Sequence, residues 1–183
     1  MSSPSKEPLW VRAIDRMNVI LFSVAAAVIV ILMLHMIADV AGRYLFNKPI
    51  PGTLELVTYW WMPLIVFLSL GWAQQRGEHI TVTLLTERLS PTWRRIVETA
   101  GDAISLIVVA ILAWYALEGA TKGLAVGKAS TGLVPVPIWP LEFVAALGLV
   151  GYLLQLVAAV YRRYSKYRAP EAEENIYSEL GGQ

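Results

Sequence analysis

His35, Asp39 and Arg43 fall at every fourth position of one apolar stretch, so on a helix they form a row along a single face. An imidazole, a carboxylate and a guanidinium in line inside a membrane are the ingredients of a proton relay. The commoner use of that spacing is a set of i,i+4 pairs that anchor a helix end. A second group, Arg95, Glu98 and Asp102, shares a face at i, i+3 and i+7. It could hold an ion or a proton if buried, but mutual pairing at a water boundary is the plainer reading. The only other histidine, His79, lies far from the first along the chain.

These residues offer little to catalysis. The chain has no cysteine, which excludes disulfides, thiolate chemistry and cysteine-held metals or clusters. No set of three or four nitrogen, sulfur or carboxylate ligands suggests zinc, and there is no phosphate-binding glycine loop and no G-x-S-x-G. A haem held by two histidines needs both at one depth, and the orientation derived below puts His35 and His79 on opposite sides of a bilayer. No cofactor is expected, and a net charge of +1 gives no reason to expect nucleic acid.

The elements that position these residues are membrane spans. Of 183 residues 56% are hydrophobic, the mean hydropathy is +0.54, and the 16% that are charged crowd into a few patches. A span needs about 20 apolar residues, and four segments come near it: 18–38, 54–74, 95–118 and 138–161. Lipid offers the backbone no hydrogen-bond partner, so each should be a helix. The second carries Pro63, which should kink it or be accommodated by a neighbour. The third has Glu98 and Asp102 in its first turns; a charge at the bilayer centre costs about 2.5 to 3.5 kcal/mol, so these two should be interfacial. Ser90 followed by Pro91 is a good opening for that helix.

Orientation follows from the basic residues. Lys6, Arg12, Arg16, Arg76, Arg88, Arg94, Arg95, Arg162, Arg163, Lys166 and Arg168 fall on one side, and Arg43, Lys48, Lys122 and Lys128 on the other. Both termini should be cytoplasmic. The expected fold is an all-α membrane protein with four transmembrane helices. Residues 1–17 form a cytoplasmic amphipathic segment with a weak stripe of Leu9, Ala13 and Ile14, 18–165 the four-helix domain, and 166–183 a disordered acidic tail. Between the second and third spans, Val82, Leu85 and Leu89 suit a short amphipathic helix on the inner membrane surface. Trp60, Trp61, Trp139, Tyr161 and Tyr164 fit interfacial belts. Gly119, Gly123 and Gly127, at spacing four, could make a groove for close helix approach, but a loosened loop is favoured.

The middles of the spans, AAAVIVILM, IVFLSL, LIVVAILA and LGLVGYLL, hold nothing ionisable. A carrier would place ionisable groups or broken helices there. The chain reads as a scaffold that packs against something else.

Three stretches, in order, carry a resemblance. Arg43, Tyr44, Phe46 and Asn47 are followed by Pro49, Gly52 and Glu55; then come Gly77, Glu78, His79, Ile80 and Val82; then Leu133, Pro135, Val136, Pro137 and Trp139. Together they resemble the small membrane subunit, DctQ-type, of tripartite ATP-independent periplasmic (TRAP) transporters, over about residues 10 to 165. The family commonly has an acidic residue after the valine of G-x-H-I-x-V, where this chain has Thr83. The resemblance implies a non-catalytic subunit in the bacterial inner membrane. It would buttress a large membrane subunit of about a dozen helices, which takes up an organic anion, usually with sodium, from a periplasmic binding protein. The first stretch would face the periplasm, with Arg43 and Glu55 near enough to pair across a turn set by Pro49, Pro51 and Gly52. His79 would cap or contact the inner end of the second helix. The alternative is a stand-alone homo-oligomeric transporter or channel, with His35, Asp39 and Arg43 in its pathway.

Overall fold

A computed structural model describes residues 8–76, 90–132 and 134–180. The expected surface helix lies outside the described residues, with Gly77, Glu78, His79, Ile80, Val82 and Thr83, as does Leu133. Four helices make up the fold: α1 (Leu9–Phe46), α2 (Thr53–Arg76), α3 (Pro91–Ala125) and α4 (Trp139–Leu180). Each is long and apolar enough to cross a membrane. Among the described residues there is no strand, only one isolated antiparallel bridge between Ala129 and Pro137.

α4 is the central element. It packs on α1, α2 and α3, α2 also packs on α1, and α3 joins the assembly chiefly through α4. Glycines bring α2 and α4 together: Gly148 lies so close to the Phe67 carbonyl that a Cβ there would collide with it. Much of the buried core runs along α4, at Leu141, Ala146, Leu156 and Ala158. Large apolar side chains of α1 and α3, among them Ile20, Leu34, Ile104 and Trp114, remain exposed. Those faces suit lipid or a second membrane protein.

Three boundaries differ from the sequence reading. Residues 9–17 are not a separate surface segment but the first turns of α1, held upright on α4: Trp10 meets Tyr161 edge to face at 5.0 Å, and Asp15 pairs with Arg162. α3 does start at Pro91 behind Ser90, though the Ser90 side chain makes no cap bond. It runs on through Gly119 and Gly123 instead of ending at 118, so those two glycines do not loosen a loop. A Cβ on Gly123 would collide with Glu142, whereas Gly119 has nothing within 4 Å and Gly127, at φ 58°, lies beyond the helix end. Finally, the backbone of 166–180 continues α4, where a disordered tail was expected. Ala169, Ala172 and the neighbouring glutamates are strong helix formers, and extending a helix already nucleated by the span adds one bond per residue fixed, save at Pro170, which has no N–H to give.

α2 is not a plain α-helix. Val57–Trp61 form a π-turn, with the Met62 N–H reaching back to the Val57 carbonyl. The π-turn accommodates Pro63, since proline has no N–H for the carbonyl of Tyr59 and its ring would crowd that oxygen in an unbroken α ladder. Widening the preceding turn by one residue relieves the conflict.

Candidate functional site

α1 ends at Phe46, where Asn47 takes a left-handed conformation (φ 51°). The chain then folds back on the helix it has just left. The Lys48 N–H donates to Gly42 O at 2.9 Å, and Gly52, also left-handed at φ 79°, leads into α2.

What holds this loop is Asp39, 2% exposed. Its Oδ2 accepts from Arg43 Nε at 2.8 Å; its Oδ1 accepts from the Ile50 N–H at 2.9 Å and is 3.1 Å from Thr53 Oγ1. The Thr53 hydroxyl also lies 3.1 Å from Ile50 O and 3.3 Å from His35 Nε2. With one hydrogen to give, Thr53 donates to either Asp39 or Ile50 O and can accept from the His35 Nε2–H tautomer. The row His35, Asp39 and Arg43 is therefore a loop anchor, and its carboxylate is fully engaged. Arg43 pairs with Asp39 and not, as expected, with Glu55, because Asp39 lies one helical turn below it on the same face.

Glu55 stands instead against Gly132, where a Cβ would collide with it. Gly132 belongs to the second connection at this end of the molecule, between α3 and α4. That connection is braced by Ser130 N to Val136 O at 2.8 Å, Ile138 N to Lys128 O at 2.9 Å and Val136 N to Ser130 Oγ at 2.9 Å. A 2.5 Å Lys128–Glu142 pair ties it to α4. The two connections lock together: a Cβ on Gly52 would come within 3.1 Å of Val134 Cβ, and Trp60 Nε1 donates to Pro137 O at 2.9 Å. Trp60, read as a lipid anchor, is thus part of a clasp, while Trp61 tilts toward the His35 ring at 6.2 Å. The clasp unites the first and third stretches that carried the resemblance, including Pro137 and Trp139, the first residue of α4. Beside it Tyr44 (83% exposed) and Phe46 (70%) stand clear.

The opposite end, which holds the start of α1 and the later part of the α4 span, has a polar knot that the sequence reading missed. Asn18 Nδ2 donates to Gln155 Oε1 at 2.9 Å, Gln155 Nε2 donates to Asp15 Oδ1 at 3.0 Å, and Arg162 takes the other Asp15 oxygen. Nearby, Arg163 NH1 bonds Asp102 Oδ2 at 2.8 Å, and Arg94 Nε bonds Glu98 Oε1 at 2.9 Å. Asp102 is therefore tied to α4; the side chain of Arg95 lies outside the described residues. Sequence signals for the knot existed, in the lone Asn18 opening an apolar run and Gln155 within another.

Asn18 Oδ1 and Glu142 Oε2 are buried without a conventional partner, yet each faces a bare glycine Cα, Gly71 and Gly123 in turn. Cα–H to oxygen contacts are the weak bonds such a geometry allows. The buried polar residues Asn18, Asp39, Thr53, Ser130 and Gln155 all lie toward the two ends. Between them the described core is apolar, and no group of three or more histidine or carboxylate side chains could hold a metal among the described residues. This arrangement can hold helices and present a surface. It offers no polar path across.

The model of a family described as tripartite ATP-independent periplasmic transporters, DctQ component, matches residues 32–166. The match takes in the clasp, the last part of α1 from residue 32 on, and the other three spans. Neither a curated protein nor a solved structure matches the chain at a significant level.

Proposed function

Because the chain belongs to the DctQ family of tripartite ATP-independent periplasmic transporters, we propose that it braces the large membrane subunit of such a system through the clasp at its loop end. The family consists of transporter subunits, not enzymes, in the inner membrane, working in systems that also have a large membrane subunit and a periplasmic binding protein. In our reading both termini are cytoplasmic and the clasp faces the periplasm. Uptake of an organic anion, delivered by the binding protein and coupled to sodium, runs through the large subunit. The distribution of lysine and arginine supports the orientation.

The observation that carries the bracing role is the clasp itself. Trp60 to Pro137, Glu55 to Gly132 and Asp39 to Ile50 fix two connections into one rigid surface, while the described core between the ends is apolar. A stand-alone carrier would need His35, Asp39 and Arg43 to line water, but Asp39 is buried in the loop anchor.

Reconstitution tests this. The chain alone in vesicles should carry no organic acid down a sodium gradient, and the chain with its large subunit and binding protein should. Arg43→Ala should lower both the yield of the co-purified large subunit and uptake. Transport by the chain alone, or full assembly and uptake in that variant, would overturn the reading.

A further inference from the structure

The buried residues of α1 are not scattered. Val11, Asn18, Ala25 and Asp39 lie on one seven-residue repeat, which half-buried Leu32 completes, and only Val28 stands off it. Such a spacing keeps one edge of a helix turned toward its neighbours. Here the edge faces the furrow between α2 and α4: Asn18 touches Gly71 of α2 and bonds Gln155 of α4, and Asp39 holds Thr53 at the start of α2. The two polar members are three repeats apart, about 32 Å, close to the hydrocarbon thickness of about 30 Å.

The apolar members of this edge resist separation but not sliding, because one turn of methyl groups packs much like the next. The Asp15–Arg162 ion pair is a poor ruler too, since Lys166 stands one turn farther along α4 to meet a displaced carboxylate. The amide pair discriminates. Gln155, wholly buried, accepts from Asn18 Nδ2 at 2.9 Å and donates from its own Nε2 to Asp15 Oδ1 at 3.0 Å. Displaced by one turn in either direction, Asn18 would stand opposite Gly151 or Ala159, neither of which has a side-chain partner for it. Two amides would then be buried without their bond, where lipid supplies no water in its place.

We propose that Asn18 and Gln155 form the register key of the bundle, positioning residues that set the height of α1 on α4. Because α1 is one unbroken helix, the same pair sets where Asp39 holds the loop that builds the clasp. The consequence for assembly rests on the bracing role above; the register does not.

The test uses the full chain in mild detergent and reads register by cross-linking, which the absence of native cysteine permits. Trp10 and Tyr161 meet at 5.0 Å across the seam, so Trp10→Cys is combined in turn with Tyr161→Cys and with Val157→Cys or Ser165→Cys, one turn to either side. A short bifunctional thiol reagent should join 10 to 161 in otherwise native chains. Asn18→Leu with Gln155→Leu keeps the size of the pair and removes its polarity. The products at 157 and 165, relative to that at 161, should then rise by about tenfold, with the melting midpoint no lower than native. Asp15→Asn, which removes only the charge, and the exchange Asn18→Gln with Gln155→Asn, which keeps an amide pair, should both retain the native pattern. A native pattern in the leucine pair, or a broadened one in Asp15→Asn or in the exchanged pair, would overturn the key; the last two hold whether or not the leucine pair folds. The leucine pair should also recover less of the large subunit. A broadened pattern with undiminished recovery would keep the key and remove the clasp from the bracing role.

Discussion

Asp39 accepts the backbone N–H of Ile50 at 2.9 Å, so one carboxylate in α1 sets the path of the chain eleven residues later. The same side chain takes Arg43 and neighbours the hydroxyl of Thr53. The anchor is thus hierarchical. Asp39 holds backbone, the Thr53 hydroxyl fills the space beside it, and Arg43 balances charge from a half-exposed position.

That order predicts graded losses. Asp39→Ala leaves the Ile50 N–H without its partner, and a lost buried bond of this kind costs about 1 to 3 kcal/mol. Thr53→Val keeps that bond and should cost about 1 kcal/mol. Thermal unfolding in detergent should rank the midpoints wild type, Thr53→Val, Asp39→Ala, from highest to lowest. Equal midpoints for Asp39→Ala and wild type would remove the anchor from the account.

The seam between α1 and α2 turns on size. A Cβ on Gly71 would collide with Asn18 Oδ1, so Gly71→Ala should destabilise by about 1 to 3 kcal/mol, the usual cost of overpacking. Asn18→Ala vacates that space, though it also gives up the bond to Gln155. Since the two residues touch, the double substitution should cost less than the sum of the singles. Additive losses in the unfolding midpoints would show that the contact is not what limits Gly71.

Trp60→Phe keeps an aromatic side chain but removes the N–H that reaches Pro137, together with the five-membered ring that carries it. A single hydrogen bond of this kind is worth about 0.5 to 1.5 kcal/mol. The effect on stability should be small and the effect on co-purification of the large subunit larger, because the bond joins the two connections of the clasp. A variant that assembles as well as wild type while melting lower would confine Trp60 to stability.

The sequence made the number and kind of elements legible because lipid leaves the backbone no option but helix. The pairing of Asp39 with Arg43 was also legible, since i,i+4 spacing needs no tertiary information, whereas His35 meets Thr53 instead. The partners of that row were not. That Asp39 would take Ile50 and Thr53, leaving Arg43 away from Glu55, depends on how the chain turns at Asn47 and Gly52, and several turns would satisfy the same residues. The knot of Asp15, Asn18, Gln155 and Arg162 joins residues about 140 apart in sequence, a pairing that local pattern cannot reveal. The glycines were ambiguous for the same reason. Gly119 and Gly123 share a spacing, but only Gly123 has a helix against it.

The π-turn in α2 makes the last case. A π-turn is an α-helix with one residue more than its ends require, and both ends of α2 are pinned, Thr53 by Asp39 and Gly71 by Asn18. Pro63→Ala restores a donor for the Tyr59 carbonyl, but a return to the α ladder would rotate one end of α2 by about 100° against its partner. The π-turn should therefore persist in Pro63→Ala, with assembly and uptake retained. Deleting Val57 removes the extra residue while keeping Trp60 in register with the helix that follows. With Pro63 present, the deletion should cost about 3 kcal/mol, because proline would then sit inside a closed α ladder. Combined with Pro63→Ala, the deletion should recover most of that loss, seen as a rise in the unfolding midpoint over the deletion alone. If Pro63→Ala by itself disrupts assembly, register at the two ends does not hold the turn, and the proline does.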